Sequence, residues 1–161
     1  MLEIHHLRTE FSTASASVRA VDDISFELKR GEVLGIVGES GSGKSMTALS
    51  IMGLVPSPGR VTQGEIYYTN PLGERRDLLK CPADEMRQLR GDDLAMIFQE
   101  PMTALNPVFS CGAQVVESIQ VHQKLNYQKA RQRTLSLFEQ VQLREPERIF
   151  DSYPHELSGG Q

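Results

Sequence analysis

The eight residues GESGSGKS, Gly38 to Ser45, constrain the fold of this chain more than any other segment. They follow the G-x-x-x-x-G-K-[ST] pattern of a phosphate-binding P-loop. The segment before them, Glu32 to Gly38, is apolar on both faces, which is typical of a strand buried inside a parallel sheet. The segment after them, Met46 to Leu54, carries a helical pattern. A strand, a glycine-rich loop and a helix in this order predict an α/β fold of the P-loop NTPase type.

The predicted chemistry of the loop follows from its backbone. Glycines allow the chain to turn back on itself, so that successive N–H groups point inward and form an anion nest at a helix N-terminus. Lys44 is placed to reach the β- and γ-phosphates of a nucleotide, and the Ser45 hydroxyl to bind the Mg²⁺ that bridges them. The predicted nucleotide-binding residues are Gly38, Glu39, Ser40, Gly41, Ser42, Gly43, Lys44 and Ser45. The alternative, a small-residue turn that happens to carry a lysine, does not explain the strand before it and the helix after it. The loop alone does not distinguish ATP from GTP.

Composition excludes several other classes of protein. The chain has 161 residues, 39% hydrophobic and 24% charged, which is ordinary for a globular domain with a core. A net charge of −4 argues against a nucleic-acid surface. Cys81 and Cys111 are far apart in sequence and fit no metal-ligand spacing, which indicates a reducing compartment. No apolar run reaches the roughly 18 residues that span a bilayer, and the N-terminus does not resemble a signal peptide.

Hydrophobic periodicity predicts further strands and helices. In AVDDISFEL, Ile24, Phe26 and Leu28 alternate with polar residues, which indicates a half-buried, antiparallel strand. LEIHHL and GEIYYT are weaker matches to the same pattern, and DLAMIFQ (residues 93–99) is a second doubly apolar strand. Residues 83–89 and 110–143 carry helical patterns, and residues 56–64 are predicted to be a loop. On the longer helical stretch, one face is predicted to hold Ala130, Thr134, Leu137 or Phe138, and Val141.

Three segments together resemble a known family. GESGSGKS, IFQEPMTALNP (residues 97–107) and YPHELSGGQ (residues 153–161) are similar, in sequence and in order, to the motifs of an ATP-binding cassette, the nucleotide-binding subunit of an ABC transporter. The resemblance covers essentially the whole chain, and LSGGQ is a complete match to the family signature. QEPMTALNP and YPHELSGG most resemble the branch that imports dipeptides, oligopeptides, glutathione or nickel.

The resemblance implies a nucleotide site shared between two subunits. In such cassettes the signature contacts the γ-phosphate of ATP held by the opposite subunit, so two cassettes, identical or different, face each other head to tail. By this resemblance, Ser158, Gly159, Gly160 and Gln161 bind the partner's ATP. A helix would then follow Gln161, with the Walker B strand, the catalytic glutamate, the D-loop and the switch histidine. The expectation is therefore an N-terminal part of a cassette that does not hydrolyse ATP by itself.

Other residues take roles by resemblance. Gln99 matches the glutamine that contacts Mg²⁺ and the attacking water, so it is the expected catalytic residue and, with Ser45, an expected metal ligand. Phe11 matches the aromatic residue that stacks on adenine, although simple packing beneath the antiparallel β layer expected at the N-terminus is an equal alternative. His155 is interpreted as a loop residue near the interface rather than a catalytic group. His5 and His6 are expected to be exposed strand residues.

The expected organisation is a nucleotide-binding core, residues 1–109, followed by a helical subdomain, residues 110–161. The core is expected to combine an N-terminal antiparallel β layer with part of a parallel sheet that carries the P-loop. By resemblance the helical subdomain docks on membrane permease subunits, which in turn work with a substrate-binding protein. The cassette would be peripheral, at the cytoplasmic face of the cell membrane. Two alternatives remain at this stage. A soluble ABC protein of DNA repair or translation uses the same motifs without a permease, and a P-loop kinase or GTPase should lack LSGGQ.

Overall fold

The computed structural model describes residues 1–12, 16–98 and 104–161. These residues form two compact units, Met1–Met96 and Ile97–Gln161. The strands are β1 (Leu2–Ser12), β2 (Ser17–Leu28), β3 (Gly59–Thr69) and β4 (Arg75–Asp77). The helices are α1 (Lys44–Ile51), α2 (Ala83–Asp92), α3 (Cys111–Gln123), α4 (Tyr127–Gln140) and α5 (Pro146–Asp151), followed by a short 3-10 turn, Pro154–Glu156. The division predicted between residues 109 and 110 stays a prediction.

The first unit is built on an antiparallel sheet with the strand order β2-β1-β3-β4. As predicted, Ile24 and Phe26 are half-buried, whereas their neighbours Asp23, Ser25 and Glu27 are exposed. In β1 the pairing is irregular between Ile4 and Leu7 on the side of β2, and between His5 and Arg8 on the side of β3. This bulge places the side chains of Ile4 and Leu7 in the core, with no exposed surface. It also leaves His5 and His6 exposed, which confirms their predicted placement.

The two doubly apolar segments are not strands, and this part of the prediction is wrong. Residues 32–38 belong to no strand or helix, and Val33 and Val37 are 95% and 93% exposed. In residues 93–98 the pairing is limited to an isolated bridge at Leu94, and Ile97 is 94% exposed. A doubly apolar strand is stable only between parallel neighbours with layers on both faces. Among the described residues the sheet offers only antiparallel strands, so neither segment finds those neighbours.

Two element boundaries also differ from the prediction. Residues 59–64 belong to β3 rather than to a loop, because Gly59 and Val61 pair with Phe11 and Thr9 of β1. This pairing outweighs the local turn signal of the glycines and prolines. Helix α1 ends at Ile51 rather than at Leu54. Two residues after this end, Gly53 adopts a left-handed conformation (φ +62°). The amides of Gly53 and Leu54 then donate to the carbonyls of Ser50 and Leu49, which closes the helix.

The second unit packs α3, α4 and α5 around a separate core. This core contains Val116, Ile119, Ala130, Phe138, Ile149 and Phe150. The helical face predicted from Ala130, Thr134 and Phe138 is buried, and Phe138 rather than Leu137 completes it. The prediction for Val141 is wrong, because α4 ends at Gln140 and Val141 is 68% exposed. In the described part of the chain, no helix has both the length and the apolar character to cross a membrane.

Candidate nucleotide-binding site

Helix α1 presents its N-terminus to the P-loop, and Gly43 sets the geometry of this junction. Gly43 is the N-cap of the helix, with φ 90° and ψ 1°, and no side chain caps the first turn. A Cβ atom at this position would collide with the carbonyl oxygen of Ala20 in β2. The backbone of the loop therefore lies directly against the backbone of the sheet, which only glycine permits.

The ammonium group of Lys44 lies inside the loop. Its Nζ donates to the carbonyl oxygens of Gly38 and Glu39 at 2.8 and 2.7 Å, and to Oγ of Ser42 at 3.3 Å. These three bonds use all three donors of the group. A phosphate can therefore accept a hydrogen bond from this ammonium group only if it replaces at least one of these oxygen atoms as the acceptor.

Two other glycines allow the loop to close. The amide of Ser42 donates to the carbonyl of Glu39 at 3.2 Å, and a Cβ at Gly38 would lie 2.6 Å from Oγ of Ser42. Gly41 has open space around it but a φ of +82°, so its backbone conformation requires glycine. The predicted turn of the chain is thus present in the backbone of the loop, and its role in binding an anion stays a prediction.

Buried hydroxyl groups fix α1 to the sheet. Oγ1 of Thr9 in β1 and Oγ of Ser50 in α1 are 2.7 Å apart, and both residues are buried. Oγ of Ser50 also donates to the carbonyl of Met46, and Oγ1 of Thr47 donates to the carbonyl of Gly43. Ser45, the predicted Mg²⁺ ligand, is exposed on the first turn. The sequence did not predict the contact between Thr9 and Ser50, because the local sequence around a hydroxyl does not identify a partner that is distant in the chain.

Phe11 lies near the end of β1 and packs on Gly59 of β3. A Cβ at Gly59 would lie 2.6 Å from ring atoms of Phe11 and 2.8 Å from Cγ1 of Val55. The ring is half-buried. The ring thus has a packing contact with β3, and a role in adenine stacking stays a prediction.

The other predicted residues fall into different parts of the chain. Gln99 lies outside the described residues. Ser158, Gly159, Gly160 and Gln161 belong to the second unit, where they form an exposed turn. Oε1 of Gln161 accepts from both the amide and the hydroxyl of Ser158 at 3.0 Å, and the amide of Gln161 donates to the Ser158 carbonyl. A Cβ at either glycine would meet nothing within 4 Å.

The structure also shows the surroundings of the remaining candidates, His155 and the two cysteines. His155 is exposed in the 3-10 turn before the signature and stacks on Tyr153, with ring centroids 5.8 Å apart. Burial raises the pKa of the free thiols of Cys81 and Cys111. Both cysteines are therefore neutral thiols at pH 7, not activated nucleophiles.

The close approach at Gly43 gives a first testable prediction. Gly43→Ala should lower the free energy of unfolding by about 3 kcal/mol, because it adds a steric collision to left-handed strain. The matched control is Gly31→Ala, since Gly31 has a φ of +77° with nothing within 4 Å. Gly31→Ala should lower the free energy of unfolding by only about 1 kcal/mol, because it adds left-handed strain without a collision. Urea denaturation of both variants measures the difference, and equal costs would show that the Ala20 contact is unimportant.

The amino-acid sequence of this chain is similar to a known family and to proteins of known function. Residues 21–161 match the family described as "ABC transporter". The dipeptide transport ATP-binding protein DppD of Escherichia coli is 47% identical over 99% of this chain. The glutathione import ATP-binding protein GsiA of Pectobacterium atrosepticum is 46% identical over 99% of this chain. The chain spans 47% of the first relative and 26% of the second.

Solved structures show the same fold. The ATP-binding cassette MJ0796, in a dimeric post-hydrolysis state bound to ADP and Pi, has a TM-score of 0.84 with 25% identity. The match covers 100% of this chain and 65% of that one. This confirms the predicted P-loop cassette fold. It follows from the matched family, the relatives and the fold that the chain belongs to the ABC transporter family.

Proposed function

We propose that this protein is the ATP-binding subunit of an importer, and that it couples ATP binding and hydrolysis to the uptake of peptides. The observation that carries the proposal is the geometry of the P-loop, in which the ammonium of Lys44 lies among the loop carbonyls at the N-terminus of α1. A helix N-terminus of this kind suits a phosphate group. The relatives named for dipeptide and glutathione transport support peptides as the transported class.

ATP and Mg²⁺ would bind at the loop. The ammonium of Lys44 and the amides of the loop would hold the phosphates, and Ser45 and Gln99 would hold Mg²⁺. Exposure of Ser45 on the first turn supports this role, because its hydroxyl is free to reach an ion in front of the helix. Gln99 would orient the attacking water, and the ring of Phe11 would support the adenine.

The signature would complete the site of a second cassette. Its exposed turn, with open space at Gly159 and Gly160, suits the close approach of a phosphate from outside the subunit. Two cassettes would then enclose ATP head to tail. Residues 1–109 would act as the nucleotide-binding core, and residues 110–161 as the subdomain that docks on the permease. The permease receives its peptide from a substrate-binding protein, and the cassette works at the cytoplasmic face of the membrane.

Transport in vesicles tests this proposal. The full-length protein is assembled with its membrane partners in lipid vesicles, and uptake of a labelled dipeptide is followed with and without Mg-ATP. We expect uptake that depends on ATP and is lost with Lys44→Ala. Hydrolysis of ATP without any uptake of dipeptide, glutathione or oligopeptide would instead support the non-transport alternative.

A second prediction concerns the 161 residues alone. We expect them to bind nucleotide without turnover, because phosphoryl transfer needs a Mg²⁺-binding carboxylate and a positioned base in addition to the P-loop. The family places these groups in motifs that have no match in this sequence. The measurement is steady-state phosphate release by the purified protein. Release above background that disappears in Lys44→Ala would contradict the expectation.

A further inference from the structure

We propose that Arg90 is a positioning residue for the P-loop helix, an inference that rests on the proposed ATPase function. Its guanidinium contacts the end of α1 opposite to the loop. Nε donates to the carbonyl of Met52 at 2.8 Å, and Nη2 donates to the carbonyl of Gly53 at 3.1 Å. Arg90 lies far from this helix in sequence, so the contact is made by the fold.

The contact occurs where a helix most needs a cation. The last carbonyl groups of an α-helix have no partner within the helix, and the helix dipole makes this end negative. In α1 the carbonyls of Leu49 and Ser50 are used by the amides of Leu54 and Gly53. Arg90 supplies the donor for the carbonyl of Met52, the residue that caps the helix.

The backbone holds Arg90 in place for this contact. Arg90 and Gly91 leave the helical conformation, with φ/ψ of −71°/124° and 92°/−25°. The amides of Asp93 and Leu94 both donate to the carbonyl of Leu89, and the amide of Gly91 donates to the carbonyl of Leu94. These bonds close a tight turn at the end of α2, and the buried side chain of Leu89 anchors it in the core.

Helix α1 is consequently fastened at three places. Gly43 lies against Ala20 at the start, and Ser50 bonds Thr9 near the end. Arg90 bonds the final carbonyls. The close approach of Gly43 to Ala20 is steric and blocks movement only toward β2. Without Arg90 the helix would therefore be free to tilt away from the sheet about the Ser50–Thr9 hydrogen bond, which lies roughly 9 Å along the axis from Lys44. A tilt of about 10° would move Lys44 by roughly 1.5 Å, and a misplacement of about 1 Å can cost on the order of a hundredfold in rate.

This geometry predicts an effect on turnover more than on binding. The loop moves together with the helix, so its contacts to the phosphates persist when the helix tilts. The alignment of those phosphates with groups on other elements is what changes. In the full-length protein assembled with its membrane partners, we expect Arg90→Met to lower kcat at least about tenfold, with the Kd for Mg-ATP within about threefold of the unchanged protein.

Arg90→Lys is the conservative variant. It keeps the charge but has no planar fork to bridge two carbonyls, so its kcat should lie between those of Arg90→Met and the unchanged protein. The matched control is Arg87→Met on the same helix, since Arg87 has a side chain that is 77% exposed and pairs with Asp84 at the surface. This control should leave kcat and Kd unchanged. If Arg90→Met does not fold, Arg90→Lys becomes the test of the inference, and we expect it to lower kcat at least threefold.

Several outcomes would overturn the inference. One is a kcat within twofold of the unchanged protein in Arg90→Met, or in Arg90→Lys if Arg90→Met does not fold. Another is a rise in Kd that matches the fall in kcat, which would indicate general damage to the loop. A third is an equal loss in Arg87→Met. Lys44→Ala, measured in parallel, separates this result from the proposed function, because full activity in that variant would refute the ATPase assignment itself.

Discussion

Lys44→Ala is expected to weaken binding of Mg-ATP by more than about a hundredfold, or roughly 3 kcal/mol. The ammonium makes charge-assisted bonds, which contribute about 1.5 to 3 kcal/mol each. In the structure these bonds go to the carbonyls of Gly38 and Glu39. A phosphate must displace part of this arrangement, so the net loss should be smaller than the sum of all the bonds. Isothermal titration of the purified protein with Mg-ATP measures the effect.

Lys29→Ala is the control for this experiment. Lys29 pairs with Glu27 at the surface, with a side chain that is 67% exposed, so its removal changes the net charge equally. Its affinity for Mg-ATP should stay within about twofold of the unchanged protein, since exposed ion pairs contribute less than about 1 kcal/mol. Equal losses in the two variants would mean that net charge, not the loop, governs binding.

Gly159→Asp is expected to abolish ATP hydrolysis by the assembled transporter while leaving nucleotide binding to the isolated subunit unchanged. If the signature approaches the γ-phosphate of the partner's ATP, a carboxylate there adds bulk and a like charge. At about 4 Å and an effective dielectric constant near 20, the repulsion is about 4 kcal/mol, enough to prevent closure. Affinity of the isolated subunit for Mg-ATP should change by less than about threefold, or 0.7 kcal/mol.

Gly159→Asn separates charge from size. It adds nearly the same volume without the charge, and the structure leaves open space at this position. We therefore expect it to retain more hydrolysis than the aspartate variant. The measurements are nucleotide titration of the isolated subunit and ATPase assays of the transporter. Loss of binding by the isolated Gly159→Asp subunit, as complete as in Lys44→Ala, would show that the signature acts on its own P-loop and that the head-to-tail arrangement is wrong.

Short-range patterns were the predictable part of this structure. The P-loop could be identified because its requirements are local: small residues where the backbone turns, and a lysine and a serine at the start of a helix. The strand containing Ile24 and Phe26 was predictable because alternation alone determines which face is buried. LSGGQ could likewise be recognised as a signature, although its role in another subunit's site came from resemblance.

Long-range contacts decided what the sequence could not. A doubly apolar run such as residues 32–38 predicts a buried strand, but whether it is buried depends on neighbours that periodicity does not contain, and here Val33 and Val37 are exposed. Likewise, nothing in the local sequence places Thr9 beside Ser50, or Arg90 at the carbonyls of Met52 and Gly53. The sequence by itself determined that a glycine-rich loop with the P-loop pattern leads into a helix, because that information lies within a few residues. Only the tertiary structure decided how the helix is held, because the groups that hold it come from strands and turns distant in the chain.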